Sequence, residues 1–534
     1  MRRFVLRMIS VLIWLVVAGS TVFTQTKAPD VIIVNARIYT VDSKFSTAEG
    51  VAITDGKFTA VGTTAQIRKL SGPSTRILDA GGKTIVPGLQ DNHLHNAGGG
   101  PGVDLFNART LEDVLDRIGA RAKEAKPGDV VVTNSDWHEA QLKDQRLPYR
   151  KDLDKIAPKV PVVVVRGGHE YILNSAALDK WHIDKSTQQP AGGRISRDEK
   201  GELNGELVDR AKALVTLPPE PKPGPAYFLE EHKKLNAAGL TAIRYPGASI
   251  EQYRALQELE KKGLLTIRVN QLLRPPATDA AMMAKMIASY NVKPDEGNEW
   301  LRLSGVKQSI DGGFEGGWMT ELYAKPYDEG GKYYGINTLK QEPFTAIVKE
   351  LNRLGWRVAT HAVGDAAIDE VLAAYEAADA EKSIVGRRWT IEHAFIPRPD
   401  HFPRMKRLGL IISAQDHLYM AGPSILKMWG PKRAALWVFY HFVSRDTISG
   451  GVIGPDQKIT RQEALKAQTI NNAYTTFEEK TKGSIEPGKF ADLVVLEQDI
   501  MTAPEKSIES MKVLATMVGG KIVYQRQGFS LAAR

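Results

Sequence analysis

At 534 residues the chain exceeds what one ordinary hydrophobic core organises, so it reads as several units or one large barrel with additions. Its hydrophobic fraction of 43% and charged fraction of 25% exclude a disordered or fibrous chain. The formal charge of +9 comes from 71 basic against 62 acidic residues, scattered without the basic stripe of a nucleic-acid binder, and the lack of cysteine excludes disulfides and thiolate metal sites.

Residues 1–7 are basic, 8–19 apolar and 20–25 small and polar, the layout of a secretory signal peptide. The apolar run is shorter than the roughly 20 residues a spanning helix needs, so cleavage and a periplasmic or secreted protein without a stable membrane span are expected. Residues 30–82 then read as short strands, VIIVNARIYTVD, GVAITDGKFTAVG around an Asp55-Gly56 hairpin, and TRILDAGG. This segment is too small to bury a core alone. The same strand–GGK–strand grammar recurs in GKFADLVVL and VLATMVGGKIVY near the other end, which predicts one composite β-sandwich from residues 30–82 and 484–528.

Next comes KTIVPGLQDNHLHN, an apolar run ending in His93 and His95. On a strand, side chains alternate, so both imidazoles face one way. Such a pair is either two metal ligands or a buried hydrogen-bonded pair, and its spacing does not choose. Further strand-like runs at 84–89, 240–245, 264–272, 301–309, 356–361, 389–393 and 410–414 alternate with helical patterns at 250–262, 341–354 and 366–378. That is the signature of βα units around a parallel sheet, and it predicts an α/β fold with a TIM-like (β/α)8 barrel over 83–109 and 226–483. Residues 110–225 are too long for a βα loop and carry strands of their own at 129–133 and 161–166, so an inserted subdomain over the barrel mouth is expected, left through the stiff PPEPKPGP connector. Seven barrel strands are found where a closed barrel has eight.

Lys307, His361 and His393 also stand at or near the carboxyl ends of strand runs, where such barrels keep their chemistry. Singly, each is an ordinary polar residue; together with His93 and His95 they point to a shared metal centre.

Over about residues 29–522 the motifs PGLQDNHLH, GVKQSIDGG, THAVGDAAID, IEHA and TINNAYTTFEEKTKGSIEPGKFADLVVL resemble the metal-dependent amidohydrolase superfamily, in the branch of the N-substituted formamide deformylases. The resemblance implies hydrolysis of C–N bonds in amide-like small-molecule substrates. It also implies one or two Zn²⁺, or Mn²⁺, Fe²⁺ or Co²⁺: one held by His93 and His95, one by His361 and His393, bridged by a carboxylated Lys307. By the same resemblance, His169 in the RGGH stretch of the insertion and His417 after the seventh strand are candidate substrate contacts.

One element of the family pattern is absent. Relatives carry a Gly-(Ser/Thr)-Asp motif at the end of the eighth strand, whose aspartate binds metal and shuttles a proton; here the chain passes near Leu436-Trp437 straight into WVFYHFVSRDTISGG, as if one βα unit of roughly 30 residues were missing. Residues 437–443 serving as a replacement strand would deliver Asp446 to the site, and Asp416 is the other substitute. Without either, the alternative is a catalytically impaired protein that binds metal and ligand.

Overall fold

The computed structural model describes residues 27–95, 100–219, 223–324, 332–414, 421–422, 424, 428, 439–447, 451–452 and 454–533. The expected signal segment, His417, Asp416 and the start of the 437–443 run lie outside these residues. Among those described, no helix is long and apolar enough to cross a membrane.

The centre is a parallel sheet of seven strands in sequence order: β1 (Leu89–Asp91), β2 (Leu240–Ala248), β3 (Arg268–Leu273), β4 (Leu301–Ser309), β5 (Val358–Ala362), β6 (Thr390–His393) and β7 (Ile411–Ser413). Each pairs in parallel with the next. Strands in such a sheet are covered on both faces and read as near-continuous apolar runs, which is why they stand out in the sequence. The intervening helices bury one stripe against the sheet: in Gln341–Arg353, Phe344, Ile347, Val348 and Leu351 recur at helical spacing and are fully buried.

The first strand differs from expectation. The run 84–89 is divided at Gly88: Thr84–Pro87 pairs with Leu493–Leu496 in another sheet, and only Leu89–Asp91 joins the parallel one. A side chain at Gly88 would collide with Thr241, so the chain passes between the two sheets where only glycine fits. Strand β3 starts at Arg268 rather than near residue 264, because Leu264 still closes the preceding helix through its N–H to the Leu259 carbonyl, at 3.0 Å.

Two further sheets come from both chain ends. One contains Val31–Val34, Gly50–Thr54, Lys57–Gly62, Arg76–Asp79 and Ala532–Ala533; the other contains Arg37–Tyr39, Thr47–Ala48, Thr84–Pro87, Leu493–Leu496, Val513–Val518 and Lys521–Gln525. Ile33, Ile53 and Leu78 of the first share one buried cluster with Ile38, Ile85, Val495 and Met517 of the second. A fourth sheet, of five strands, lies within 110–225 and runs Gly193–Arg197, Leu203–Asp209, Glu170–Leu173, Val162–Arg166, Val131–Val132. Alternation along it divides two cores, Val162, Val164 and Ile172 facing one and Val163 and Leu173 the other.

Strands β1 and β7 end the parallel sheet, and among the described residues no strand stands between them. The run 437–443 does not replace one: Phe439–Ser444 is an α-helix, packed against the helices Arg461–Ala467 and Glu505–Glu509. The same aromatic and β-branched residues fit either pattern, and tertiary packing selects the helix. The outer edge of β1 is met by a different segment: the Gln90 N–H donates to the Gln468 carbonyl at 2.9 Å, and Asn472 Nδ2 to the Gln90 carbonyl at 2.6 Å. A cavity of about 810 Å³ occupies the seam, lined by residues 89–95 on one side and 412–414 on the other.

The parallel sheet is locked to an end sheet by Arg268 of β3. Its guanidinium bonds both oxygens of Asp492 at 2.8 and 3.1 Å and stacks 3.8 Å from the centre of the Phe490 ring, with both charged side chains at most 5% exposed. Asp492→Ala would strand a buried cation and is expected to cost about 3–5 kcal/mol in urea unfolding, whereas Arg268→Met with Asp492→Leu should recover most of that; a single-variant loss below about 1 kcal/mol would contradict the interlock.

Candidate metal centre and its cavity

Strand β1 stops at Asp91, so His93 and His95 sit in the bend that follows rather than on the strand itself. The bend is fixed at two points: Asp91 Oδ1 accepts the His93 N–H at 2.8 Å, and the Leu94 N–H reaches the Arg244 carbonyl of β2 at 3.1 Å. This brings the two imidazoles edge to face with their Nε2 atoms 3.2 Å apart. Two nitrogens bound tetrahedrally to one zinc at 2.0–2.1 Å lie about 3.3 Å from each other, so the spacing suits two ligands on one ion as well as a hydrogen bond between the rings.

The tautomer of His93 is set from behind. Its Nδ1 lies 2.7 Å from Glu392 Oε2, a fully buried carboxylate of β6 whose other oxygen is 2.8 Å from Arg244 Nη2. A carboxylate only accepts, so Nδ1 carries the proton and Nε2 presents its lone pair. Burial opposes ionisation of Glu392, but Arg244 and His93 outweigh it and hold the carboxyl well below its usual range. His93 is pushed down to about 4 by burial and then by Lys307, against the pull of Glu392. Desolvation against the cavity wall, then His93 and Lys307, holds His95 well below the imidazole range, although the residue remains exposed to the cavity opening.

Lys307 points into the same interior from β4, 2% exposed, and forms no ion pair among the described residues. Burial, aided by Arg274 and Arg244 and opposed by Glu392, brings its pKa down to about 7. His361, in β5, gives Nε2 to the Gly312 carbonyl at 3.0 Å, which leaves Nδ1 as the ring nitrogen open to a ligand; burial, then His169 and Lys307, keeps it well below the imidazole range. His393 closes β6, its ring centre 4.7 Å from that of His93 and 4.4 Å from that of His361. It occupies positive φ, 73°, followed by Ala394 at 48°, a conformation that costs a non-glycine residue energy and clusters at functional sites.

The structure thus gathers His93, His95, Lys307, His361 and His393 on one cavity of about 830 Å³. Four imidazoles and one amine, with the neutral forms of His93, His95, His361 and Lys307 favoured by burial, suit a divalent cation with nitrogen and oxygen ligands; a carbamate on Lys307 would add the anionic oxygens. His169 joins them from the insertion, its ring centre 5.3 Å from that of His361 and its Nδ1 2.6 Å from Asp209 Oδ1. A side pocket of about 280 Å³, walled by Trp137, Phe314 and Phe395, shares His169, His361 and His393 with the main cavity.

Asp446 is not brought to this site. Its carboxylate pairs with Lys506 at 3.1 Å, and the residues lining the cavities beside the histidines do not include it. A second cluster, Asp369, Asp400 and His401, has ligand atoms within 4.8 Å of one another, but its carboxylates are engaged by Arg398 and Arg404. Sequence reasoning missed Glu392, Arg244, Asp311 and Asp209. The first two had a signal: each interrupts an apolar strand, TIEH and TAIRY, and a charge buried in a sheet demands a partner. Asp311 accepts the N–H groups of Trp318, Val363 and Gly364 at about 3 Å and lines the main cavity with its Oδ1 3.4 Å from His361 Nε2.

Comparison with known proteins places the chain in a family. The chain is 28% identical to an N-substituted formamide deformylase of Arthrobacter pascens, over 94% of this chain and 100% of that protein. It is 29% identical to the protein LONG AFTER FAR-RED 3 of Arabidopsis thaliana, over 93% and 91%. Its fold matches the crystal structure of an uncharacterized metal-dependent hydrolase from Pyrococcus horikoshii with a TM-score of 0.64, at 24% identity, over 89% of this chain and 99% of that one. The pattern of the amidohydrolase family matches residues 76–436 and 434–524, most of the sequence, and the chain therefore belongs to the amidohydrolase family, in its amidohydrolase-3 branch.

Proposed function

We propose that this protein is an exported metal-dependent hydrolase acting on the C–N bond of amide- or formamide-like small molecules. The observation that carries the reading is the convergence of His93, His95, His361, His393 and Lys307 on one cavity. In this reading the parallel sheet is a (β/α)8-type barrel and the two end sheets are its composite sandwich. The basic–apolar–polar N-terminus supports export.

His93 and His95 would hold one ion and His361 and His393 a second, with Zn²⁺ the best fit to the donor set and Lys307, as its carbamate, between them. Bound metal would supply an activated water and polarise the substrate carbonyl. Glu392 keeps the proton on His93 Nδ1, so that Nε2 stays available, and is itself held by Arg244. Lys307, with its pKa brought down to about 7, offers the neutral amine that carbon dioxide requires: nitrogen bonds to carbon, one N–H proton leaves to solvent, and an anionic carbamate remains. His169, steadied by Asp209, borders both the main cavity and the aromatic side pocket, where a substrate's two arms would diverge.

A second reading, a protein that binds metal and ligand without turnover, is favoured by one observation: Asp446, the substitute for the family's proton-shuttling aspartate, is paired with Lys506 instead. General acid–base help of that kind is worth about 10²–10⁴-fold in rate. A panel of formamides and acetamides decides between the two. Hydrolysis that disappears with a chelator and returns with Zn²⁺ supports the hydrolase; metal bound at one equivalent or more without turnover supports the second reading. Less than one equivalent of metal would contradict both. Glu392→Gln should weaken metal binding about 10–100-fold by equilibrium dialysis.

The pH dependence follows from Lys307. Its folded pKa is depressed, so the protonated amine predominates below about pH 7 and the neutral amine above it. Metal uptake by the metal-free protein in bicarbonate should therefore rise steeply between about pH 6 and pH 8. Lys307→Met should lose the bicarbonate dependence; uptake indifferent to bicarbonate in the unmodified protein would contradict the carbamate.

A further inference from the structure

The Asp209–His169 pair is built with more care than a surface hydrogen bond needs. His169 lies in the turn between Val162–Arg166 and Glu170–Leu173, and Asp209 ends the strand Leu203–Asp209 that pairs with the latter. The Asp209 N–H donates to the His169 carbonyl at 2.8 Å, and the side chains meet at 2.6 Å. To do this Asp209 adopts φ 49° and ψ −117°, outside the ordinary range of a non-glycine residue. The loop after β4 is moulded around the pair. A Cβ at Gly312 or Gly316 would collide with Asp209 Oδ2, and one at Gly313 would lie 2.8 Å from the His169 ring. Asp209 Oδ2 is itself buried with no donor among the described residues, so Oδ1 and its bond to His169 are the carboxylate's main engagement.

A carboxylate cannot donate, so His169 Nδ1 must, and a neutral imidazole protonated at Nδ1 has an acceptor at Nε2. The side chain is 31% exposed and borders the cavities that carry Lys307, His361 and His393. We propose that Asp209 locks His169 as a hydrogen-bond acceptor at Nε2, and that this acceptor selects amides with an N–H on the scissile nitrogen over N,N-disubstituted amides. The proposal rests on the amide-hydrolase reading above and adds the class of amide to it. An N-monosubstituted or primary amide satisfies Nε2; a disubstituted one shields it from solvent and returns no donor, the situation in which a site built for an N–H discriminates strongly.

The test uses the Zn²⁺-loaded protein and two amides of one acyl group, N-methyl and N,N-dimethyl, together with ¹⁵N-histidine spectra of the metal-free protein. The N-methyl amide should be favoured by at least about tenfold in kcat/KM, and Asp209→Asn should narrow the ratio to within about twofold. The His169 signal, assigned by its loss in His169→Gln, should show the Nδ1–H tautomer, and Asp209→Asn should abolish that preference. A wild-type ratio within about twofold, a ratio that survives Asp209→Asn, or an Nε2–H tautomer in the wild type would each overturn the proposal. Absence of turnover for both amides would count against the hydrolase reading instead. The tautomer, and the relative affinities of the two amides read from the His169 signal, would then decide the selection by themselves. Both wild-type readouts stand if Asp209→Asn fails to fold.

Discussion

The site depends on one fully buried carboxylate. Glu392 lies between His93 and Arg244, 2.7 Å from one and 2.8 Å from the other, and an unpaired charge at that depth would not survive. Its position settles three things together: the tautomer of His93, the attachment of β6 to β2 across the interior, and the local field at Lys307. Near this carboxylate the fold gathers His93, Lys307 and His361 in an interior that desolvates them. Burial therefore favours their neutral forms, and the interior offers lone pairs to whatever cation enters.

Among the described residues the same interior is open at one seam. A closed parallel barrel satisfies every strand edge, whereas here, among the described residues, β1 and β7 end the sheet and a cavity of about 810 Å³ lies between them. The outer edge of β1 is met by Gln468 and Asn472 rather than by a strand. The histidines and Lys307 stand on the other strands and the bend after β1, whereas Asp446 is held by Lys506 away from the cavity they line. The pairing of His169 with Asp209, from the insertion, puts a second polar device on the other side of the cavity.

Much of this was legible in the sequence, because buried parallel strands leave apolar runs and the candidate site residues sit at or near the ends of those runs. Lys307, His361 and His393 follow that rule. His93 and His95 were legible as a pair for a reason that proved different: they meet through a bend held by Asp91, not through strand alternation. The division of 84–89 at Gly88 was hidden because both halves are apolar and only three-dimensional crowding against Thr241 separates them. The run 437–443 misleads by composition, since aromatic and β-branched residues serve a strand or a packed helix equally. Asp209 had no local signature; its role comes from a strand pairing and from three glycines about a hundred residues away.

We propose that the four histidines and Lys307 form a metal centre. Anomalous diffraction from crystals grown with Zn²⁺ and bicarbonate tests it most directly. A peak beside His93 and His95, with a second beside His361 and His393 and a carbamate on Lys307, is the expected result. Zinc confined to the Asp369–Asp400–His401 cluster, with nothing at His93 and His95, would contradict it.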